Sequence, residues 1–387
     1  MNLNVTIGSI PLETPLLLAS GYLTETPDFF LKSKKYGCAG MVTRSLKEFV
    51  PLARVRTPAP RYVVPNPDIM LNCEWGNEQP WTNWRDRWVQ EVKATDSPII
   101  ISLSGREIAS CQNLIHAFDE LQVDAYEVNI SCSHSGALNG NLNVDANHFR
   151  RLMGEIRNIT TTPIWVKLSY SPVVVGMAIE AEKLGAEAIV CTNTIGPGLF
   201  LDIETTRPKL GIKGGAGGVS GKAIFPIALR CIYEISRAVR IPVVGVGGVG
   251  TAEDVLQMLM AGASAVEIYT EVALKGPVSF KKITHGLDEF LSRHPQYQSL
   301  SDVVGVSHRW AEEQSFEAPK PIIIADHCSG CKRCFYSCAF GALAFTKTNG
   351  RTVAVIKSNC NACNACVGVC PTESNAIKAV FNRGEHG

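Results

Sequence analysis

The chain of 387 residues has almost no excess of either charge: 37 Lys and Arg stand against 36 Asp and Glu, a formal net charge of +1. A nucleic-acid surface needs a clustered basic excess, so the balance argues against that class. No apolar run approaches the roughly 20 residues of a membrane-spanning helix. The opening MNLNVTIGSIPLETP lacks a charged leader followed by an apolar core, so no secretory signal is expected. Also missing is a G-x-G-x-x-G after the first apolar run, the fingerprint of an open dinucleotide-binding sheet.

What is there is an ordinary globular composition, 45% hydrophobic and 19% charged, in a chain long enough for one large and one small domain. Eight short apolar runs recur: PLLLAS (15–20), GMVTRS (40–45), PIIISLS (98–104), AYEVNIS (125–131), PIWVKLS (163–169), AIVCTNT (188–194), PVVGVGG (242–248) and AVEIYTE (265–271). Continuous rather than alternating runs indicate strands buried on both faces of a parallel sheet. Helical patterns such as NLIHAFDELQV and AEDVLQMLMAG separate them. Eight β-then-α units predict a (β/α)8 TIM barrel, a fold of about 250 residues; a doubly wound open sheet is the alternative. Polar residues gather where the strands end, among them Ser20, Thr43, Arg44, Asn129, Ser131, Cys132, Lys167, Asn193 and Thr194. In a barrel those ends form the active-site face.

Fourteen cysteines stand out, and eight of them form two runs, C-S-G-C-K-R-C-F-Y-S-C (328–338) and C-N-A-C-N-A-C-V-G-V-C (360–370). Each has the C-x2-C-x2-C-x3-C spacing of two-cluster bacterial ferredoxins, in which the fourth cysteine ligates the other cluster. The expected ligand sets for two [4Fe-4S] clusters are Cys328, Cys331, Cys334 and Cys370, and Cys360, Cys363, Cys366 and Cys338. Zinc sites and disulfides are weaker readings of so rigid a spacing. The other six cysteines are scattered, as suits a reducing cytoplasm. Periodicity weakens after the helical pattern 278–293, which predicts a barrel domain over 1–305. A linker and a small 2x[4Fe-4S] ferredoxin-like domain then occupy 306–387, with a hairpin turning at Asn349-Gly350. Trp81, Trp84 and Trp88 share one helix face and read as core.

An iron–sulfur wire ending at a barrel needs a group that converts single electrons into a two-electron step, and flavin is the usual converter. The glycine-rich GVGGVG (245–250) and GGAGGVSG (214–221), with Tyr269 and Thr270 ending the eighth run, offer backbone for its phosphate. A lysine inside the apolar WVKLS is costly unless paired, which favours a functional role for Lys167.

The segments EVNISCSH (127–134), WVKLS (165–169), CTNTI (191–195), GGVSGKAIFPIAL (217–229) and GVGGVG (245–250) resemble the FMN barrels of dihydroorotate and dihydropyrimidine dehydrogenases. A barrel followed by a double-cluster domain resembles the flavin-and-substrate half of the dihydropyrimidine enzymes in particular. The resemblance implies FMN contacts from Ala19, Ser20, Thr43, Arg44, Lys167, Thr192, Ser220, Gly221, Gly247, Gly248, Tyr269 and Thr270. Lys167 would lie near the flavin N1–C2 carbonyl. Substrate contacts would come from Asn72, Glu74, Asn129, Asn193 and Thr194. Cys132 would be the proton donor or acceptor, with 133–143 as a closing loop. A thiol of pKa about 8.5 can exchange that proton near neutrality.

Three residues depart from the family pattern. Arg44 replaces a lysine, and Ser133 and Ala339 replace prolines. Glu74, in N-C-E-W-G-N (72–77), would repel a substrate carboxylate and disfavours dihydroorotate. The function expected is interconversion of uracil or thymine with the 5,6-dihydro forms. Alternatives are another conjugated carbonyl or CoA-linked ring substrate, dihydroorotate, or a silent electron-transfer subunit. No FAD domain is evident, so a separate NAD(P)H- and FAD-binding subunit or a ferredoxin is the expected redox partner in a cytoplasmic homo- or hetero-oligomer.

Overall fold

A computed structural model describes residues 2–48, 59–74, 76–131, 146–312, 319–371 and 373–380. The chain divides into two compact units, Met1–Ala311 and Glu312–Gly387.

In the first unit a hairpin of β1 (Val5–Ile7) and β2 (Ile10–Leu12) precedes the barrel. The barrel strands are β3 (Leu16–Leu18), β4 (Gly40–Val42), β7 (Ile99–Ser104), β8 (Ala125–Asn129), β9 (Ile164–Leu168), β10 (Ala188–Cys191), β13 (Val243–Val246) and β14 (Ala265–Ile268). They pair in parallel in chain order, and β14 returns to β3, so the sheet closes. Closure removes the open-sheet alternative. Each strand lies within one of the eight apolar runs, because a sheet buried inside and out favours apolar side chains. Leu16, Leu17, Leu18, Ile100, Val166 and Ile189 have no exposed surface. The helices around it are amphipathic. In Ala146–Arg157, for instance, Phe149, Leu152, Met153 and Ile156 are buried at a spacing of one helix face. Trp84 and Trp88 are buried edge to face at 5.3 Å, and Trp81 sets its edge on Phe118, so the tryptophan segment is core. No helix among the described residues is long and apolar enough to cross a membrane.

Four further strands are inserted in the connections that leave the C-terminal ends of β4 and β10. They are β5 (Tyr62–Asn66), β6 (Ile69–Asn72), β11 (Ile195–Gly198) and β12 (Gly217–Ser220). They form one antiparallel sheet in the order β11-β12-β6-β5, with Gly218 opposite Asn72 and Ser220 opposite Met70. Because both insertions follow strand C-termini, the sheet belongs to the active-site face.

The second unit has two small sheets. β15 (Ile322–Ile323) pairs with β18 (Ile377–Lys378), and β16 (Leu343–Thr348) forms a hairpin with β17 (Arg351–Ile356). Asn349 and Gly350 both have positive φ, 51° and 77°, the conformation that a two-residue hairpin turn requires. The two cysteine runs adopt the same backbone twice. Gly330 and Ala362 are left-handed at φ 68° and 60°, and Lys332 and Asn364 at 64° and 60°, each of the latter two capping a short helix.

Candidate functional site

The barrel strands end in one cavity of about 1200 Å³. Ligand pockets usually measure about 300–1,000 Å³, so this one has room for a cofactor and a second small molecule. At one end its wall is backbone. Gly247, Gly248 and Gly221 hold φ values of 123°, 74° and 93°, open to glycine and strained for other residues. A Cβ on Gly248 would lie 2.8 Å from both the Gly221 carbonyl and the Phe225 amide nitrogen. Helices Phe225–Ala238 and Ala252–Met260 begin here; the second is closed by a capping box, Thr251 Oγ1 accepting from the Asp254 amide at 3.2 Å and Asp254 Oδ2 from the Thr251 amide at 3.0 Å. The Thr270 hydroxyl donates to Ser220 Oγ at 2.9 Å, and Lys222 pairs with Asp254. Unobstructed backbone, hydroxyls and a helix N-terminus form a cradle for a phosphate, and they fit the phosphate of FMN.

Farther in stands a charged trio. Lys167 on β9 reaches Glu267 on β14 at 2.7 Å and Glu127 on β8 at 3.1 Å. Burial alone would lower the Lys167 pKa; the two carboxylates outweigh it and hold the ammonium above its ordinary range. Lys167 and Glu267 both line the cavity, one with its ammonium and the other with its carboxyl group.

The third part is amide. Asn193 Nδ2 donates to Asn129 Oδ1 and Ser131 Oγ, both at 3.2 Å, while Asn129 Nδ2 donates to Ser45 Oγ at 3.1 Å. Asn72 Nδ2 donates across the inserted sheet to the Gly218 carbonyl at 3.3 Å. Side chains locked this way are preorganised to read the N–H and C=O edge of a planar ring.

Beside them is an acidic corner. Arg44 Nη1 donates to Glu25 at 2.6 Å, and its Nη2 lies 3.7 Å from Glu74. Arg44 Nε and Nη2 have no hydrogen-bond partner, although Arg44 is almost fully buried. Tyr269 donates to Glu74 at 3.3 Å, and accepts from the Tyr22 amide at 3.1 Å with the Tyr62 hydroxyl at 3.0 Å. Burial raises the Glu74 pKa, against the opposing pull of Arg44 and the Tyr269 hydrogen bond. Burial, then the charge of Glu74, pushes the Tyr269 phenol well up.

The cavity thus gathers Ala19, Ser20, Arg44, Lys167 and Thr192 with the cradle residues Ser220, Gly221, Gly247, Gly248, Tyr269 and Thr270. It also gathers Asn72, Glu74, Asn129, Asn193 and Thr194. Thr43 is not in its wall; it is buried, and its hydroxyl accepts the Ser102 amide at 2.9 Å, which splices β4 to β7. Cys132, Ser133, His134 and the rest of 133–143 lie outside the described residues. Glu25, Ser45, Tyr62, Glu127 and Glu267 are site residues that sequence reasoning passed over. An acid inside AYEVNIS or AVEIYTE carries the same burial cost that singled out Lys167, and that signal was available.

In the second unit Cys338, Cys360, Cys363 and Cys366 line one small cavity, so the fourth cysteine of the first run faces the first three of the second. The Cys366 thiol is raised by burial and by the charges of Cys360, Cys363 and Cys338, and Cys334 by burial and then by Cys328, Cys331 and Cys366. Backbone amides of Ala342 and Ala362 donate to Cys338 Sγ at 3.3 Å and Cys360 Sγ at 3.4 Å. Cys370 Sγ lies 3.5 Å from the Ser374 hydroxyl. Thiolates with N–H donors fit the ligand sphere of an iron–sulfur cluster.

A closed parallel barrel with a ligand cavity at its strand ends, joined to a cysteine-rich dicluster unit, defines an oxidoreductase of the TIM-barrel class. The dihydroorotate dehydrogenase family matches residues 2–291, and a 4Fe-4S dicluster domain matches residues 327–374. The catalytic subunit of the NAD(+) dihydroorotate dehydrogenase B of Pyrococcus furiosus is 30% identical over 310 residues, covering 80% of this chain and 100% of that protein. Its counterpart from Methanosarcina mazei is 31% identical over 311 residues, 78% of this chain and 94% of its own. That of Methanothermobacter thermautotrophicus is 32% identical over 313 residues, 79% and 98% respectively. The chain belongs to the dihydroorotate dehydrogenase family.

Proposed function

We propose that the chain is an FMN- and iron–sulfur-dependent oxidoreductase that interconverts uracil or thymine with the 5,6-dihydro forms. The observation that carries the reading is the single cavity in which a glycine cradle, a buried lysine and a fixed pair of amides stand together. Bound flavin would supply the exchange between one hydride and two single electrons. The protein's part is positioning. Asn72, Asn129, Asn193 and Thr194 hold the ring by its N–H and C=O edge, and Lys167 presents positive charge toward the cofactor. Cys132, directly after the fixed Asn129–Ser131 segment, gives or takes the proton at the second ring carbon. Removing hydride from one carbon and a proton from its neighbour converts the dihydro ring to the conjugated one, and the reverse balances in the same way. Cys328, Cys331, Cys334 and Cys370 would hold one [4Fe-4S] cluster and Cys360, Cys363, Cys366 and Cys338 a second, and bound clusters would supply the path on which two electrons leave singly. They pass to a separate NAD(P)H- and FAD-binding subunit or a ferredoxin.

Dihydroorotate is the second reading. The relatives support it, as do the unpartnered nitrogens of Arg44, which suit a carboxylate. Glu25 and Glu74 in the same corner oppose it, since a third carboxylate there adds like charge. The test is anaerobic: with FMN and clusters reconstituted, flavin bleaching is followed with dihydrouracil, dihydrothymine and dihydroorotate, and reoxidation of the reduced flavin with cyclic enones. Bleaching by the dihydropyrimidines but not by dihydroorotate is expected. Bleaching by dihydroorotate alone replaces the assignment with the second reading, and no bleaching by either ring removes both.

A further inference from the structure

The Lys167 trio carries an imbalance. Glu127 and Glu267 have no exposed surface, and one ammonium serves both. Fully ionised, the trio would place a net negative charge inside the barrel, where an uncompensated charge is costly. It would also leave Glu127 Oε1 and Glu267 Oε1 as bare anionic oxygens, for neither has a hydrogen-bond partner. The two carboxyl groups lie within hydrogen-bonding reach of each other, and a proton on one would satisfy the contact. We propose that Glu127 and Glu267 hold a single shared proton beneath Lys167, making the trio neutral, and that Glu127 is a positioning residue whose protonation sets the reduction potential of the bound flavin.

The neighbouring charges are few. Lys167 on β9 and Glu267 on β14 are the ionisable side chains that act on Glu127. The Cys191 thiol on β10 also feels Lys167, but the hydrogen bond with Cys231, and then burial, push its pKa well up, so it stays neutral. Burial first, then the negative charge of Glu267, raise the Glu127 pKa to about 8, outweighing the pull of Lys167. The consequence is directional. With the proton in place, Lys167 is balanced by one carboxylate, and the negative charge a flavin gains on reduction meets a neutral trio. With the proton lost, that charge meets a net negative one, and reduction becomes harder. Above the Glu127 pKa, reduction therefore draws one proton from solvent onto the pair, in addition to any bound by the flavin.

The idea rests on the flavin reading above, yet its test needs no ring substrate. Infrared spectroscopy of the wild-type protein, with or without FMN, should show a buried carboxylic-acid C=O band at neutral pH that shifts in D2O. Glu127→Gln and Glu267→Gln should each abolish it, because the remaining carboxylate then pairs with Lys167 alone. In a dithionite redox titration the wild-type flavin potential should fall more steeply with pH above the Glu127 pKa, and Glu127→Gln should remove the extra slope while flavin still binds. A wild-type protein without the band overturns the proposal, even where neither variant folds. So does a Glu127→Gln protein that keeps the extra slope. Failure of the ring-substrate panel leaves the infrared band and the redox titration measurable, so the two ideas fall separately.

Discussion

The two units of this chain are held together by different means. The barrel buries a continuous core that runs through every barrel strand and most helices, with Leu16 on β3 and Leu291 in the helix Val278–Arg293 among its members. In the cluster unit the buried residues that pack into one cluster are Cys334, Leu343, Ala354 and Ile377, and one of these four is itself an expected ligand. Burial at about 25 cal/mol per Å² of apolar surface predicts a barrel that stands without its cofactor. A unit of some 76 residues with so small a core is of the size that leans on a structural metal or crosslink. The expectation is that one unit folds and then binds, and that the other binds in order to fold.

The sharpest way to break that contrast is to remove the iron. Anaerobic chelation should abolish hydrogen-exchange protection across 319–380 while leaving the barrel strands protected and the barrel's melting temperature unchanged. A cluster unit that stays protected without iron would erase the distinction. The next largest effect should lie wholly inside the barrel. Cys132→Ala should slow turnover of the ring substrate by roughly 10²–10⁴, the usual worth of a positioned acid or base, with reduction of the clusters by dithionite unaltered. An unchanged rate removes Cys132 from the mechanism. The smallest effect probes the barrel's own dependence on backbone shape. Gly248→Ala forces a Cβ against the Gly221 carbonyl and the Phe225 amide at φ 74°. A left-handed residue costs about 1–2 kcal/mol, so flavin retention should weaken roughly tenfold in an equilibrium titration, with the cluster unit untouched.

The barrel was legible in the sequence because strands buried on both faces leave unbroken apolar runs, and each run from PLLLAS to AVEIYTE contains its strand. The cysteine spacing was legible because cluster geometry dictates it. The inserted sheet was not. β11 reads Ile-Gly-Pro-Gly and β12 Gly-Gly-Val-Ser, sequences that look like loop because their glycines are there for close backbone approach rather than for strand formation. A Cβ on Gly217 would lie 2.6 Å from the Asn72 carbonyl. In the site, the amides and glycines were readable as types. The links from Arg44 to Glu25 and from Lys167 to Glu127 and Glu267 are not, since they join residues 19, 40 and 100 positions apart that the closed barrel alone brings together. Thr43 shows a different case: a polar residue at a strand end whose hydroxyl splices β4 to β7.

The inserted sheet also acts as a gauge. Asn72 and Ser220, both in the cavity wall, sit on facing strands two residues apart in register, Gly218 against Asn72 and Ser220 against Met70. The separation between them is therefore set by a ladder of backbone hydrogen bonds rather than by loops that drift independently. Inserting one residue into β6 would turn its side chains to the opposite face and shift one against the other at once. Lengthening the site for a bulkier ring therefore requires changes made in pairs, one on each strand.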